Sequence, residues 1–142
     1  MAFLLLRIGR LREDSEARWG KMNSAQMLQH CTWILQTATG EVVLPKTNFV
    51  FSTIGRVAKY AIWLTGIGIP PDMPTYNCVK CDRNCDFQNS RKKLVAALDA
   101  YSMAAAQDGL KPDHRLFGKM NRMFWGLLEY KHLDHHLKQF RV

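Results

Sequence analysis

Apolar residues in this 142-residue chain recur at steps of three and four, the spacing that gathers side chains on one face of a helix. They do so in five stretches divided by polar breaks. The breaks fall at Trp19-Gly20, Gly40 to Asn48, the proline-rich Gly66 to Tyr76, and Asp108 to Lys119, where Gly, Pro, Asn and Asp concentrate. A short first helix is predicted from Ala2 to Leu11. Asn23, with Gln26 three positions on, forms a capping box for the second, in which Met27, His30 or Cys31, Ile34 and Ala38 share one face until Gly40. That phase turns His30 inward. After Asn48 the positions Val50, Ile54, Val57, Ala61 and Leu64 predict an amphipathic third helix ending near Gly66. Asp86 caps a fourth, where Phe87, Leu94, Leu98, Tyr101 and Ala105 face the same way, and the segment closes at Gly109 before Pro112.

The last stretch, after Asn121, aligns Trp125, Leu128, His132, His136 and Gln139 along one stripe, with Leu133, Leu137 and Phe140 widening the buried arc. No convincing strand alternation and no internal repeat accompany these helices. The expected fold is therefore all-α: one domain over 1–142, a four-helix bundle with a short extra N-terminal helix.

Composition adds to this picture. At 47% hydrophobic and 23% charged residues, the chain owns enough core to fold without disulfides or a structural metal, so a metal here would serve function. The longest apolar run, Val57 to Ile69, is interrupted by Lys59 and falls short of the roughly 18–20 residues that a membrane span needs. Met1 to Leu6 has no basic segment ahead of it, which argues against a signal peptide and for a cytoplasmic protein with reduced thiols. Cys78, Cys81 and Cys85 make a C-x2-C-x3-C cluster that lacks the fourth ligand of a closed zinc site, and they read as loop cysteines. Cys31 reads as a small buried hydrophobe. The net charge of +8 invites polyanions, but the basic residues are scattered apart from Arg91-Lys92-Lys93, and no nucleic-acid signature organises them. Nucleic acid is the least favoured partner.

Candidate chemistry centres on histidine. His132 and His136 stand four apart on one helix, about 6 Å from each other on the same face, so both can reach a single ion. Buried imidazoles need partners for their nitrogens, and His30 on the inner face of another helix supplies a third ligand; His135 competes with His136 for the role. Glu129, one turn before His132, and Gln26, one turn before His30, are placed to orient the rings, although Gln26 also completes the cap. Asp134 points away. Trp33, Trp63, Trp125 and Met27, Met103, Met120 and Met123 read as core by default, with an apolar pocket above a metal as the alternative, and His114 reads as surface.

These residues also carry a resemblance. Trp19-Gly20-Lys21-Met22-Asn23, Gln26-Met27-Leu28-Gln29-His30, Phe117-Gly118-Lys119-Met120, Trp125-Gly126 and Lys131-His132-Leu133-Asp134-His135-His136-Leu137-Lys138-Gln139-Phe140 resemble a subfamily of the DinB/YfiT-like proteins. Both ends of the chain take part, whereas residues 45–110 agree in helical pattern alone. The resemblance implies a four-helix bundle holding a divalent metal, often nickel or zinc, through a histidine of an early helix and a His-x-x-x-His pair of the last. On this sequence those are His30, His132 and His136. The family's glutamine three residues after the second histidine corresponds to Gln139, which decides against His135 as a ligand. Characterised relatives include low-molecular-weight thiol S-transferases and a thiol-dependent isomerase. The expected function is thus a divalent-metal-dependent enzyme that activates a thiol or water against a small electrophilic substrate, with a low-molecular-weight thiol as possible co-substrate. The alternative is a non-catalytic helical-bundle dimer or binding module. A short first helix and Met123-Phe124, where relatives often carry acidic residues, depart from the pattern, and the shortened helix suggests an apolar groove that a homodimer would bury.

Overall fold

A computed structural model describes residues 1–73 and 75–142; Pro74, within the proline-rich break, lies outside the described residues. The fold is an all-α bundle. Helices α1 (Ala2–Arg10), α2 (Ser24–Thr39), α3 (Phe49–Thr65), α4 (Phe87–Ala106) and α5 (Arg122–Gln139) follow the five predicted stretches in order. A single 3₁₀ turn covers Asn77–Val79, and a small antiparallel pair joins β1 (Asp113–His114) to β2 (Gly118–Lys119).

The helix starts are set by side chains read correctly from the sequence. Asn23 accepts from the Gln26 backbone N–H at 2.9 Å while Gln26 Oε1 accepts from the Asn23 N–H at 3.0 Å, a complete capping box. Asn48, Asp86 and Asn121 cap α3, α4 and α5 by the same device, each taking the N–H three residues on. Gly40 and Gly66 end α2 and α3 in the left-handed conformation. Helix α4 stops at Ala106 rather than Gly109, whose N–H folds back to the Ala104 carbonyl at 2.8 Å.

The core lies between α2 and α4, with α5 and α1 closing it. Leu28, Cys31, Leu35 and Ala38 of α2 meet Leu94, Leu98 and Ala105 of α4, and α5 adds Trp125, Leu133 and Leu137. Leu4 and Ile8 seat α1 on this core. Arg7, itself buried, fixes the angle: its guanidinium donates to Asp134 at 2.7 Å and to the Val142 carbonyl at 2.7 Å. Asp134 accordingly points away from the histidine stripe, as expected.

Three expectations are corrected. The apolar stripe of α3 does not face the core, since Val50, Ile54, Val57 and Leu64 are all exposed. The buried positions of α3 are Gly55 and Lys59. Gly55 is required because a Cβ there would collide with the Leu116 carbonyl, and Lys59 Nζ donates to the Lys119 carbonyl at 2.6 Å, so α3 docks on the 113–119 hairpin through its small and polar side. His114 is not a surface residue. It lies half-buried, its ring stacked near Phe117 and Trp125, with Nδ1 accepting from the Leu116 and Phe117 N–H groups at 3.0 and 3.2 Å. Burial pushes its pKa down to about 4. Finally, Trp63, Met103 and Met123 are exposed and belong to neither core nor pocket, whereas Trp125, Met27 and Met120 are buried as expected and Trp33 is half-buried.

Arg7→Ala should lower the unfolding free energy by about 1.5–3 kcal/mol, the worth of hydrogen bonds to a charged group, measured by urea denaturation at neutral pH. Burial opposes ionisation of Asp134, but the Lys138 and Arg7 hydrogen bonds hold its carboxyl below the usual range. Its stabilisation is present above that range and lost as pH falls through the lowered value, so the wild-type to Arg7→Ala difference should shrink at acid pH. A difference independent of pH would refute this role for the pair.

Candidate metal centre

The site forms where α2 meets α5. His30 comes from the middle of α2 and His132 and His136 from successive turns of α5, and the three offer ring nitrogens that all lie within 4.8 Å of one another. The His136 ring meets the other two edge to face and the His30 and His132 rings are tilted, at centroid separations of 5.0 Å for His30 with each partner and 4.6 Å between the pair on α5. His30 Nε2 and His132 Nε2 are 3.1 Å apart.

Outer hydrogen bonds orient two of the rings. His30 Nδ1 donates to the Val79 carbonyl at 2.6 Å, and Val79 is itself fully buried at the end of the 3₁₀ turn. His136 Nδ1 donates to Gln139 Oε1 at 2.8 Å, while Gln139 Nε2 donates to the Trp19 carbonyl at 2.5 Å. Each bond puts the proton on Nδ1 and leaves a lone pair on Nε2, turned into the cluster. The Trp19-Gly20 pair thus acquires a purpose. Gly20 adopts φ +79°, and a Cβ there would stand 2.7 Å from Gln139 Nε2, so only glycine lets the chain pass close enough to hold that amide.

All three rings are held neutral. Burial is the main cause for each: it lowers the pKa of His30, pushes that of His136 down to about 3, and drives that of His132 well below its ordinary value, with the neighbouring histidines adding to the effect. Neutral imidazoles with inward lone pairs are the protonation state a metal requires. Nitrogens at about 2.0–2.1 Å from a tetrahedral ion lie about 3.3 Å apart, close to the Nε2 separation of His30 and His132. The residues fit a divalent ion.

The structure brings His30, His132 and His136 together, sets Gln139 against the His136 ring, and leaves His135 outside the cluster. The His135 ring turns to the Ile69 carbonyl, 2.8 Å from its Nδ1, and tilts against Trp19. Gln26 serves the cap and the Arg83 carbonyl rather than His30. Glu129 is buried, but among the described residues it makes no hydrogen bond to any ring; both its oxygens are unpartnered there, as is His132 Nδ1 one turn away. Burial raises the Glu129 pKa to about 8, so the carboxyl is protonated near neutrality. Val79 and Trp19 were missed because they act through backbone carbonyls, which leave no mark in residue type. Cys31 is buried against Met27 as a small hydrophobe. Among the described residues no helix is long and apolar enough to cross a membrane.

The family described as "Protein of unknown function (DUF1569)" matches residues 4–142, so the chain belongs to it. No curated protein and no solved structure matches the chain.

The buried groups make opposite contributions to stability with pH. Histidines with lowered pKa values take up protons in the unfolded chain below about pH 6.5 but not in the folded one, so metal-free protein should lose stability as pH falls below that point, up to about 1.4 kcal/mol per unit for each ring. Glu129, raised to about 8, acts in reverse: its unfolded form ionises first, and stability falls as pH rises from about 4.5 to 8. Metal-free protein should therefore be most stable near pH 6.5, and Glu129→Gln should abolish the decline between pH 6.5 and 8. Chemical denaturation across pH in chelator-treated samples tests both, and an unchanged decline in the variant would count against a protonated Glu129.

Proposed function

We propose that this DUF1569 protein is a divalent-metal-dependent enzyme in which His30, His132 and His136 hold zinc or nickel and a thiol or water is activated against a small electrophilic substrate. One observation carries the reading: three neutral imidazoles from two helices converge, and two of them have Nδ1 tied back so that Nε2 carries the lone pair. A bundle that needed histidine only for packing would have no use for that arrangement, since an aliphatic side chain fills the same volume without polar atoms to satisfy. The resemblance to DinB/YfiT-like proteins supports the same ligand set and suggests a low-molecular-weight thiol as co-substrate.

A divalent ion held by three neutral ligands keeps its full charge and would lower the pKa of a thiol or water taking an open position beside it. The chain's own groups have defined tasks. Val79 and Gln139 fix two ring orientations and tautomers, Trp19 and Gly20 hold Gln139, and Glu129 is the candidate acceptor for the His132 Nδ1 proton.

A second reading rests on a different observation, the exposure of Phe49, Val50, Ile54, Val57 and Leu64 along α3. It makes the protein a homodimeric bundle without catalysis, and light scattering giving the 16.4 kDa monomer mass would remove it.

Elemental mass spectrometry on tag-free protein purified without added metal decides the main reading. Stoichiometric zinc or nickel is expected in the wild type and should be lost in His30→Ala, His132→Ala and His136→Ala. Gln139→Ala should keep the fold by circular dichroism but weaken metal affinity about 10–100-fold. Wild-type protein that takes up neither metal on reconstitution would overturn the proposal.

A further inference from the structure

The segment from the 3₁₀ turn to α4 carries chemistry that the histidine site does not use. Cys81 and Cys85 Sγ atoms are 3.0 Å apart, and both also approach the Arg83 carbonyl, at 3.9 and 3.6 Å. The loop is therefore already folded back on itself with the two sulfurs in contact. It is held in that shape from outside: Gln26 Nε2 of α2 donates to the Arg83 carbonyl at 3.2 Å, and the Arg83 guanidinium lies over the Trp33 ring at 5.6 Å. On one side Val79 is fully buried, and on the other Asp86 caps α4. A bend pinned at both ends and in the middle keeps a second thiol at high effective concentration beside the first.

We propose that Cys81 and Cys85 form a reversible dithiol–disulfide site, oxidised by exchange with a low-molecular-weight disulfide and reduced by the corresponding thiol. The two cysteines differ in a way that orders the steps. Cys85 is half-buried and reachable, whereas Cys81 is buried and burial, with the Cys85 contact, pushes its thiol up to about 11. Cys85, deprotonated, attacks one sulfur of the small disulfide, forming a mixed disulfide and expelling one thiolate. Cys81 gives up its proton and attacks Cys85 Sγ, which forms the Sγ–Sγ bond and expels the second thiolate. The two released thiolates take up the two protons the cysteines lost, so two protein thiols are oxidised and one small disulfide is reduced to two thiols. Cys78, exposed and within the 3₁₀ turn, takes no part. The site is independent of metal at the histidine cluster.

The full chain, reduced and then equilibrated with glutathione disulfide, is acid-quenched, alkylated and digested with trypsin. Cleavage after Lys80, Arg83 and Arg91 leaves the peptides 81–83 and 84–91 joined only by the proposed bond. The expected result is that linked pair, a fall in thiols titrated under denaturation from four to two, and full reversal by dithiothreitol. Cys78→Ser should behave as wild type, whereas Cys81→Ser should stop at a glutathione adduct on Cys85. An unlinked adduct on Cys85 in the wild type, or a linkage running through Cys78, would overturn the proposal.

Discussion

An uncharged imidazole buried in a helical bundle must find partners for two nitrogens that the helices, with their own hydrogen bonds complete, cannot supply. Much of the chain outside the helices is arranged around that demand at His30, His132 and His136. The acceptors come from a short turn and a helix end: the Val79 carbonyl from the 3₁₀ turn, and Gln139 Oε1 from the last residue of α5, held in place by the Trp19 carbonyl between α1 and α2. An unsatisfied buried polar group costs about 1–3 kcal/mol, so each of these loops has a fixed place. The long passage between α3 and α4 is thereby more than a connection. Its end delivers the carbonyl that orients His30, and the cysteine loop follows directly.

Much of this could be read from residue types. Helix starts were legible because Asn and Asp caps act locally, through a side chain and an N–H three residues away. The inward phase of His30, His132 and His136 was legible because spacing on α2 and α5 fixes it, whereas the choice of His136 over His135 and the place of Gln139 beside it came from the resemblance. Backbone donors and acceptors were not legible: nothing about Val79 as a residue announces its carbonyl. The 113–119 hairpin also escaped, because a two-residue pair is too short to show alternation.

Helix α3 shows where periodicity misleads. Its hydrophobic stripe is genuine, but a stripe predicts that a face is apolar, not that this chain covers it. Docking was decided by a steric condition. Gly55 permits backbone approach at Leu116, and Lys59 reaches the Lys119 carbonyl from the same side, beneath Phe124 at 4.6 Å from the ring centre. Close approach by a small residue and one cation with a carbonyl to bind outweighed the wider apolar face. The same logic recurs at Gly20, where lacking a Cβ matters through the neighbour it admits, Gln139.

Glu129 and His132 carry a tension next to the candidate site. A carboxyl with both oxygens unpartnered and a ring nitrogen without a donor or acceptor lie one helical turn apart in the interior. In apolar surroundings the neutral forms win, which is why the carboxyl is protonated and the ring uncharged, yet among the described residues neither the carboxyl nor the ring's Nδ1 gains a bond from it. Under the proposed function a divalent charge at the histidines would reverse both preferences. Positive charge nearby draws a carboxyl pKa down, and engaging the His132 Nε2 lone pair sends that ring's proton to Nδ1, where it needs an acceptor. An ionised carboxylate one turn away is such an acceptor. Leucine at position 129 would pack better in the uncharged bundle and would leave His132 with nothing to orient it, so the costliest side chain of the core is the one the proposed chemistry would require.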